Sequence, residues 1–385
     1  MKLQESKFEF HRTNSGSKES DPFRIFAFPL ARALGDFAVE NVVMSSIKSS
    51  FKHAELYVYC RMDAFHKDLI TNSNGFIDKL FVFKNKESVF PAELFDIYSG
   101  RPVQIADKEF YKRGMAHPNL VLTPSMMGME ALIGLPNIAG LHFPEDQIEG
   151  QAEQLVQLGL DPDRWFCTLH YRESDYELRA PSKLRDCDPQ QFLEIRDYLI
   201  DALGAQVVRL GHETMSEFPA RDGFVDLARV PDSFTTQGFA LTRSRFLFAG
   251  PSGVSQLGCA YQVPTAIVNG VNDTGAWRDK DVMLLQRLYD PAGQRISIKE
   301  ALPTGMLADP VLKAMVENGD LTMSPNTLAE LRRVAGIMLE NTAGCDGWRR
   351  PVPVRFDTFP DELGFPLSNK LNPTDALTTF VEFLD

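Results

Sequence analysis

Short apolar runs alternate with stretches of helical spacing through much of this chain. "FRIFAFPL" (Phe23–Leu30) predicts a buried strand, and "ARALGD" after it a loop, with Gly35 at the turn and Asp36 in a capping position. Phe37, Val39, Val42, Val43, Ile47 and Phe51 then recur with helical periodicity. "AELYVYC" (Ala54–Cys60) and "FIDKLFVF" (Phe76–Phe83) predict two more strands, with the short helix "AFHKDLITN" between them. Strand, helix, strand, helix, strand at these lengths is a doubly wound parallel half. "NLVLTP" followed by "SMMGMEALIGL" predicts a further strand and helix.

The pattern restarts at "WFCTLHYR" (Trp165–Arg172). "DPQQFLEIRDYLIDALG" predicts a helix capped by Asp188, with Pro189 at its first position and Gly204 at its end. "AQVVRLG", "GFVDLAR", "RFLFAG" and "PTAIVN" read as strands, and "SFTTQGFALTRS" as a short helix. Beyond Gly270 the pattern weakens. "TLAELRRVAGIMLEN" predicts one clear helix and "DALTTFVEFLD" another. The expected fold class is therefore α/β, with two Rossmann-like parallel-sheet domains facing each other across a cleft. The expected divisions are a flexible lead-in over residues 1–22, a first domain over 23–145 and a polar connector over 146–164. A second domain over 165–320 and C-terminal helices over 321–385 complete the chain.

Composition narrows the partners. A chain of 385 residues with 44% hydrophobic and 24% charged residues is an ordinary globular protein of about two domains. Its net charge of −12 argues against nucleic acid as a partner, since phosphate contacts dominate that affinity. No apolar stretch approaches a membrane span, and the polar N-terminus has no secretory h-region. Peripheral membrane contact stays open. The five cysteines are scattered and in no CxxC pair, so reduced thiols and a cytoplasmic location are expected.

Candidate chemistry falls where strands end. In "FLFAGPSGVSQLG", Ser252-Gly253 follows a strand and opens a helix, so free amides there suit a phosphate; a plain helix cap is the alternative. "HYRESDYELRAPSKLRD" carries the candidate donor contact His170 and, with Tyr171 and Tyr176, the cations Arg172, Arg179, Lys183 and Arg185; the arginines match phosphate oxygens unless they pair with the loop's own acids. Arg172 directly follows a strand. In "VVRLGHE", Arg209 sits at a strand end, where it is expected to face the cleft, with a structural ion pair as the alternative, and Gly211-His212 forms the turn, where His212 would contact a ligand or lie on the surface. Asp36 is either a cap or a carboxylate able to deprotonate a hydroxyl. No HExxH, Walker A or GxSxG motif appears, and the seven histidines are dispersed, so no metal site or cofactor is expected.

"LGDFAVENVVMSSIKSSFKHAELYVYC", "NSNGFIDKLFVF" and "RFLFAGPSGVSQLGCAYQVPTAIVNG" together resemble the lipopolysaccharide heptosyltransferases. There a strand leads into Gly-Asp and a helix, and a later strand precedes Asp-Ser-Gly, a helix and a Pro-Thr strand. "LRDCDPQQFLEIRDYLIDALGAQVVRLG" resembles a group of bacterial glycosyltransferase-like proteins, and "HYRES" resembles the GDP-fucose fucosyltransferases. The resemblance implies a GT-B fold and metal-independent, inverting sugar transfer from a nucleotide-sugar donor. The acceptor would be a glycan, a lipid-linked molecule or a small molecule. It implies Asp36 as general base, with Ser252, Gly253 and the amide of Val254 on the diphosphate, and Arg172 neutralising the leaving nucleotide. Pro251 stands where the heptosyltransferases have Asp, and Ser255-Gln256 where they have Met-His, so ADP-heptose is not the expected donor. A nucleotide-sugar 2-epimerase, or a non-catalytic nucleotide-sugar scaffold, would share this frame.

Overall fold

The computed structural model describes residues 22–83, 119–132, 135, 137–173, 183–272, 281–344, 348, 364–366 and 379–383. The chain divides into two compact units, Met1–His142 and Phe143–Asp385.

The first unit is built on strands β1 (Phe23–Ala27), β2 (Ala54–Arg61), β3 (Lys79–Phe83) and β4 (Leu120–Leu122). They pair in parallel in the order β3-β2-β1-β4. Chain order therefore reverses at β1: β2 lies on one side of it and β4 on the other. Helix α1 (Leu34–Ser49) returns the chain from β1 to β2, and α2 (His66–Asn72) from β2 to β3. A single turn, α3 (Met129–Leu132), follows β4.

Helix α1 begins earlier than its periodicity predicts. Its N-cap is Ala33, which offers no side-chain bond, and Asp36 is the helix's third residue rather than its cap. Phe37 through Ile47 are all buried, polar residues included. The buried amides and hydroxyls pair with one another: Ser45 Oγ donates to Asn74 Oδ1 (2.8 Å), and Asn74 Nδ2 donates to Asn41 Oδ1 (3.1 Å). Satisfied in this way, polar groups tolerate burial.

The second unit holds β5 (Phe166–His170), β6 (Gln206–Arg209), β7 (Phe224–Asp226), β8 (Leu247–Ala249), β9 (Thr265–Gly270) and β10 (Val282–Leu285). With β14 (Gly364–Pro366) and β15 (Thr379–Val381) they form one sheet in the order β14-β15-β10-β9-β8-β5-β6-β7. All neighbours are parallel except β14 and β15. Here the order reverses at β5, flanked by β6 and β8. Helices α4 (Ile148–Gln157), α5 (Pro189–Asp201), α6 (Phe234–Arg243) and α7 (Gly253–Ala260) precede or link these strands. The α/β class and the paired parallel sheets are as the sequence pattern predicts.

Three expectations change. The segment expected as a connector folds into the second unit, because α4 packs on α6: Thr236 Oγ1 lies 2.7 and 2.8 Å from Gln151 Oε1 and Gln154 Oε1. Phe143 also meets Phe239 edge to face. The stretch past Gly270 is a continuation of the sheet, followed by a small antiparallel sheet of β11 (Arg287–Tyr289), β12 (Arg295–Ile296) and β13 (Thr322–Ser324). Helices α8 (Ile298–Ala301) and α9 (Asp309–Asn318) lie between β12 and β13, and α10 (Leu328–Asn341) follows β13. Leu331, Val334, Ala335 and Met338 of α10 join the core of the second unit, so this helix is no appendage. Finally, Thr379–Val381, within a stretch read as a helix, is a strand: pairing with the open edge of β10 overrides its local pattern.

Candidate functional site

In an open parallel sheet the natural ligand position lies beyond the carboxyl ends of the strands, where strand order reverses. Each unit has one such point. The candidate residues divide between them.

In the first unit the reversal lies between β1 and β4. A recess of about 20 Å³ opens there, lined by Ala31, Asp36, Val39, Glu40, Met127, Gly128 and Met129. That is room for about one water molecule. Ala31, Asp36, Val39 and Glu40 follow β1, and the methionines and Gly128 follow β4. Asp36 lies in the first turn of α1, where the helix dipole favours its charge. Glu40, one turn further along, was not singled out by sequence reasoning. Its side chain is buried, and its Oε2 accepts from the Ala31 amide at 2.9 Å. Burial pushes its carboxyl up to about 8, although the amides of Ala31 and Leu30 and the Lys67 ammonium pull the other way. A signal existed: Glu40 is a charged residue inside the apolar periodicity of α1, four residues from Asp36.

Next along the chain is a buried lysine whose charge acts on Glu40. Lys67 is fully buried, paired with Asp63 at 2.8 Å, bonded to the Arg61 carbonyl at 3.0 Å and set over the Phe37 ring at 4.8 Å. His66 is buried beside it. Burial first, and the Lys67 charge second, push its imidazole down to about 4.

In the second unit the reversal lies between β5 and β8, and the loops there are joined. The Gly250 amide donates to the His170 carbonyl at 2.9 Å. A Cβ on Gly250 would stand 2.7 Å from Cys187 Sγ, so this close approach requires glycine. Ser252 caps α7 through a capping box with Ser255. The cap engages the Ser255 amide and leaves those of Gly253 and Val254 with no acceptor inside the helix. The cap and the phosphate readings of Ser252-Gly253 are thus compatible: the hydroxyl orders the turn, and two amides point away from the helix start.

Arg172 follows β5. Its Nε lies 3.3 Å from Asp186 Oδ1, and its carbonyl accepts from the Cys187 amide at 2.9 Å. Lys183 opens a one-turn 3-10 helix, Lys183–Arg185, and its side chain lies outside the described residues, as do Tyr176 and Arg179. His170 is buried, and its Nδ1 lies 3.0 Å from the Leu210 carbonyl. A carbonyl only accepts, so Nδ1 carries the proton and Nε2 is left as an acceptor. Burial pushes this imidazole down to about 4, which makes it neutral at pH 7. Among the expected donor contacts, His170 therefore suits a hydroxyl rather than a phosphate. His212 has the opposite tautomer: its Nδ1 accepts from the Thr214 amide at 3.3 Å, which leaves the proton on Nε2. Burial lowers its affinity for a second proton.

Two expectations fail here. Arg209 does not face a ligand. It is fully buried in a bidentate pair with Asp226, at 2.9 and 2.7 Å, and lies over the Phe218 ring at 4.2 Å. It also donates to the Ser216 carbonyl at 2.8 Å. The cause is register: Arg209 and Asp226 are direct neighbours on β6 and β7. Gly211 likewise spends both backbone groups on Gln237, its amide donating to Oε1 and its carbonyl accepting from Nε2, each at 2.8 Å. It shapes the turn that carries His212 and has no amide to offer a donor. Sequence reasoning also missed Glu173, which accepts from the Ser216 amide and hydroxyl and ties the β5 and β6 loops together.

Among the described residues no group of three or more histidines, cysteines or acids has a geometry for metal, and no helix is long and apolar enough to cross a membrane. No family model and no curated protein matches the chain. Solved structures do. The E. coli ADP-heptose lipopolysaccharide heptosyltransferase II aligns over 66% of this chain and 86% of its own, at 11% identity and a TM-score of 0.39. E. coli heptosyltransferase WaaC with ADP aligns over 77% and 99%, at 9% identity and a TM-score of 0.39. A glycosyl transferase family 9 structure from Veillonella parvula aligns over 84% of this chain and 99% of its own, at 14% identity and a TM-score of 0.50. The chain is thus similar in fold to that glycosyltransferase, in keeping with the resemblance its sequence motifs carry.

Proposed function

We propose that this protein is a glycosyltransferase that moves a sugar from a nucleotide-sugar donor to a hydroxyl acceptor, with inversion and without a metal. One observation carries the reading: an acidic recess occupies the strand-order reversal of one unit, and a helix start with two outward amides occupies that of the other. Inverting transfer needs those two parts. The acceptor oxygen attacks the anomeric carbon as the bond from that carbon to the diphosphate oxygen breaks. The proton of the hydroxyl passes to Asp36, and the nucleoside diphosphate leaves with the electron pair. The amides of Gly253 and Val254, the Ser252 hydroxyl and the Arg172 guanidinium stabilise the charge developing on that diphosphate. Neutral His170 and His212 serve hydroxyl or base atoms of the donor, as acceptor and donor respectively.

The test is a thermal-shift panel of UDP, GDP, CDP, ADP and dTDP, with and without magnesium. A ligand of the folded state raises the melting temperature. One nucleotide is expected to do so independently of magnesium. No shift with any of them would reduce Ser252-Gly253 to a helix cap and defeat the reading. A sharper variant is Gly253→Pro. Proline is tolerated at the first helical position, and Ser252 before it is already extended (φ −155°, ψ 171°). The helix should survive while one amide is lost. Affinity for the active nucleoside diphosphate is expected to fall about tenfold, the loss of one hydrogen bond to a charged group. Unchanged affinity in isothermal calorimetry would remove the turn from the diphosphate site.

A further inference from the structure

We propose that Glu40 is a positioning residue for Asp36: a buried carboxylic acid that anchors the turn after β1 and sets the proton affinity of the carboxylate one helical turn before it. The inference rests on the reading of Asp36 as the base.

The geometry comes first. Asp36 and Glu40 are four residues apart on α1 and so share a helix face. Both line the same recess. Glu40 is 2% exposed. One of its oxygens holds the Ala31 amide, which fixes the turn that delivers Asp36. The other, Oε1, is buried and makes no well-aligned hydrogen bond, although the Leu30 amide lies near the carboxyl. A poorly bonded oxygen in that setting costs far less as a carboxylic acid than as a carboxylate.

The surrounding charges agree. Lys67 on α2 is the near cation, but it is committed to Asp63. Asp36, on the same helix, opposes a second negative charge. Cys60 on β2 faces the same cluster, and its buried thiol is pushed up to about 12, so it is neutral. Glu40 makes no ion pair among the described residues. It therefore holds its proton at neutral pH and leaves Asp36 as the anion of the recess. When Glu40 ionises, near pH 8, its charge must raise the proton affinity of Asp36, because coupling between two sites is mutual.

The sign for stability is fixed by the same shift. The Glu40 carboxyl of the folded chain binds its proton more tightly than that of the unfolded chain. Its contribution is fully present below the unfolded value of about 4.5 and is lost as pH rises toward about 8. Glu40→Gln keeps an acceptor for Ala31 and a donor in place of the acid proton, with nothing to ionise. Its melting temperature is expected to match the wild type near pH 4.5 and to exceed it increasingly up to pH 8.5.

The decisive measurement is carbon-13 carboxyl NMR of the full chain, titrated for the wild type, Glu40→Gln and Asp36→Asn. The wild-type Asp36 signal should show a second step near pH 8, absent in Glu40→Gln. The Glu40 signal should titrate lower in Asp36→Asn. If the wild-type Asp36 signal shows no second step near pH 8, or Glu40→Gln shows the same step, the proposal is overturned. If Glu40→Gln melts lower than the wild type across the whole pH range, Glu40 is only a structural anchor and the proposal also fails. None of these readings needs turnover, so a failure of sugar transfer is distinguishable from a failure of this coupling.

Discussion

Arg209→Met should cost the second unit about 3–5 kcal/mol, the loss that follows when one member of a buried ion pair is removed. Asp226 would keep a carboxylate that is 15% exposed, facing the site of a missing guanidinium. Its bond from the Ala228 amide, at 3.2 Å, is no substitute for two charged donors. The Ser216 carbonyl would lose its donor, and the Phe218 ring would keep only the more distant Arg196 in place of Arg209, so the turn after β6 would loosen with it. Urea unfolding should show the loss as a lower midpoint with an unchanged slope. The double variant Arg209→Met, Asp226→Leu should regain most of it, since apolar pairs often replace buried ion pairs without penalty. Nucleotide affinity, measured on the fraction still folded, should stay as it was. A fully stable Arg209→Met protein with weakened nucleotide binding would return Arg209 to the ligand site.

That residue also marks where the sequence stops being readable. Arg209 ends an apolar strand and Arg172 closely follows one, and nothing in the local sequence pattern tells a structural arginine from a ligand-facing one. The difference is that Asp226, seventeen residues on, falls opposite Arg209 in the parallel register of β6 and β7. A partner on a neighbouring strand is set by register, and register is not written in the strand's own pattern. The partner of Gly211 is equally remote: Gln237, which takes both its backbone groups, lies on α6. By contrast, the strands from β1 to β9 and the described helices between them other than α4 are legible, because each carries its own apolar period between clear turn residues. The turn at Ser252 was legible for the same local reason. Beyond Gly270 helix α10 is legible from its own period, but the strands are short, and β15 exists by completing an edge of β10. The start of α1 was placed too late because Ala33 gives no capping signal; the turn before it is held by Glu40 from within the helix.

Asp36→Asn should leave nucleoside diphosphate affinity intact and lower sugar transfer by about 10²- to 10⁴-fold, the usual contribution of a positioned general base. The substitution is close to isosteric, so the recess keeps its shape and loses only basicity. Some stability will go too, because Asp36 faces the positive end of α1, but that is about 0.3–1 kcal/mol for a first-turn charge. A loss of that size unfolds almost none of a stable protein, so it cannot imitate a hundredfold fall in rate. The proposed diphosphate contacts, Ser252, Gly253 and Val254, belong to the second unit and keep their helix cap in this variant. The pattern expected is therefore a reduced kcat with an unaltered nucleotide dissociation constant, using the nucleotide sugar whose nucleotide raises the melting temperature. Asp36→Glu adds a second check: it restores the charge but moves the carboxylate by one methylene in a recess of about 20 Å³. Misplacement on that scale should leave most of the defect in place. Undiminished transfer by Asp36→Asn would remove Asp36 from the base role, and the base would then have to be sought outside this recess.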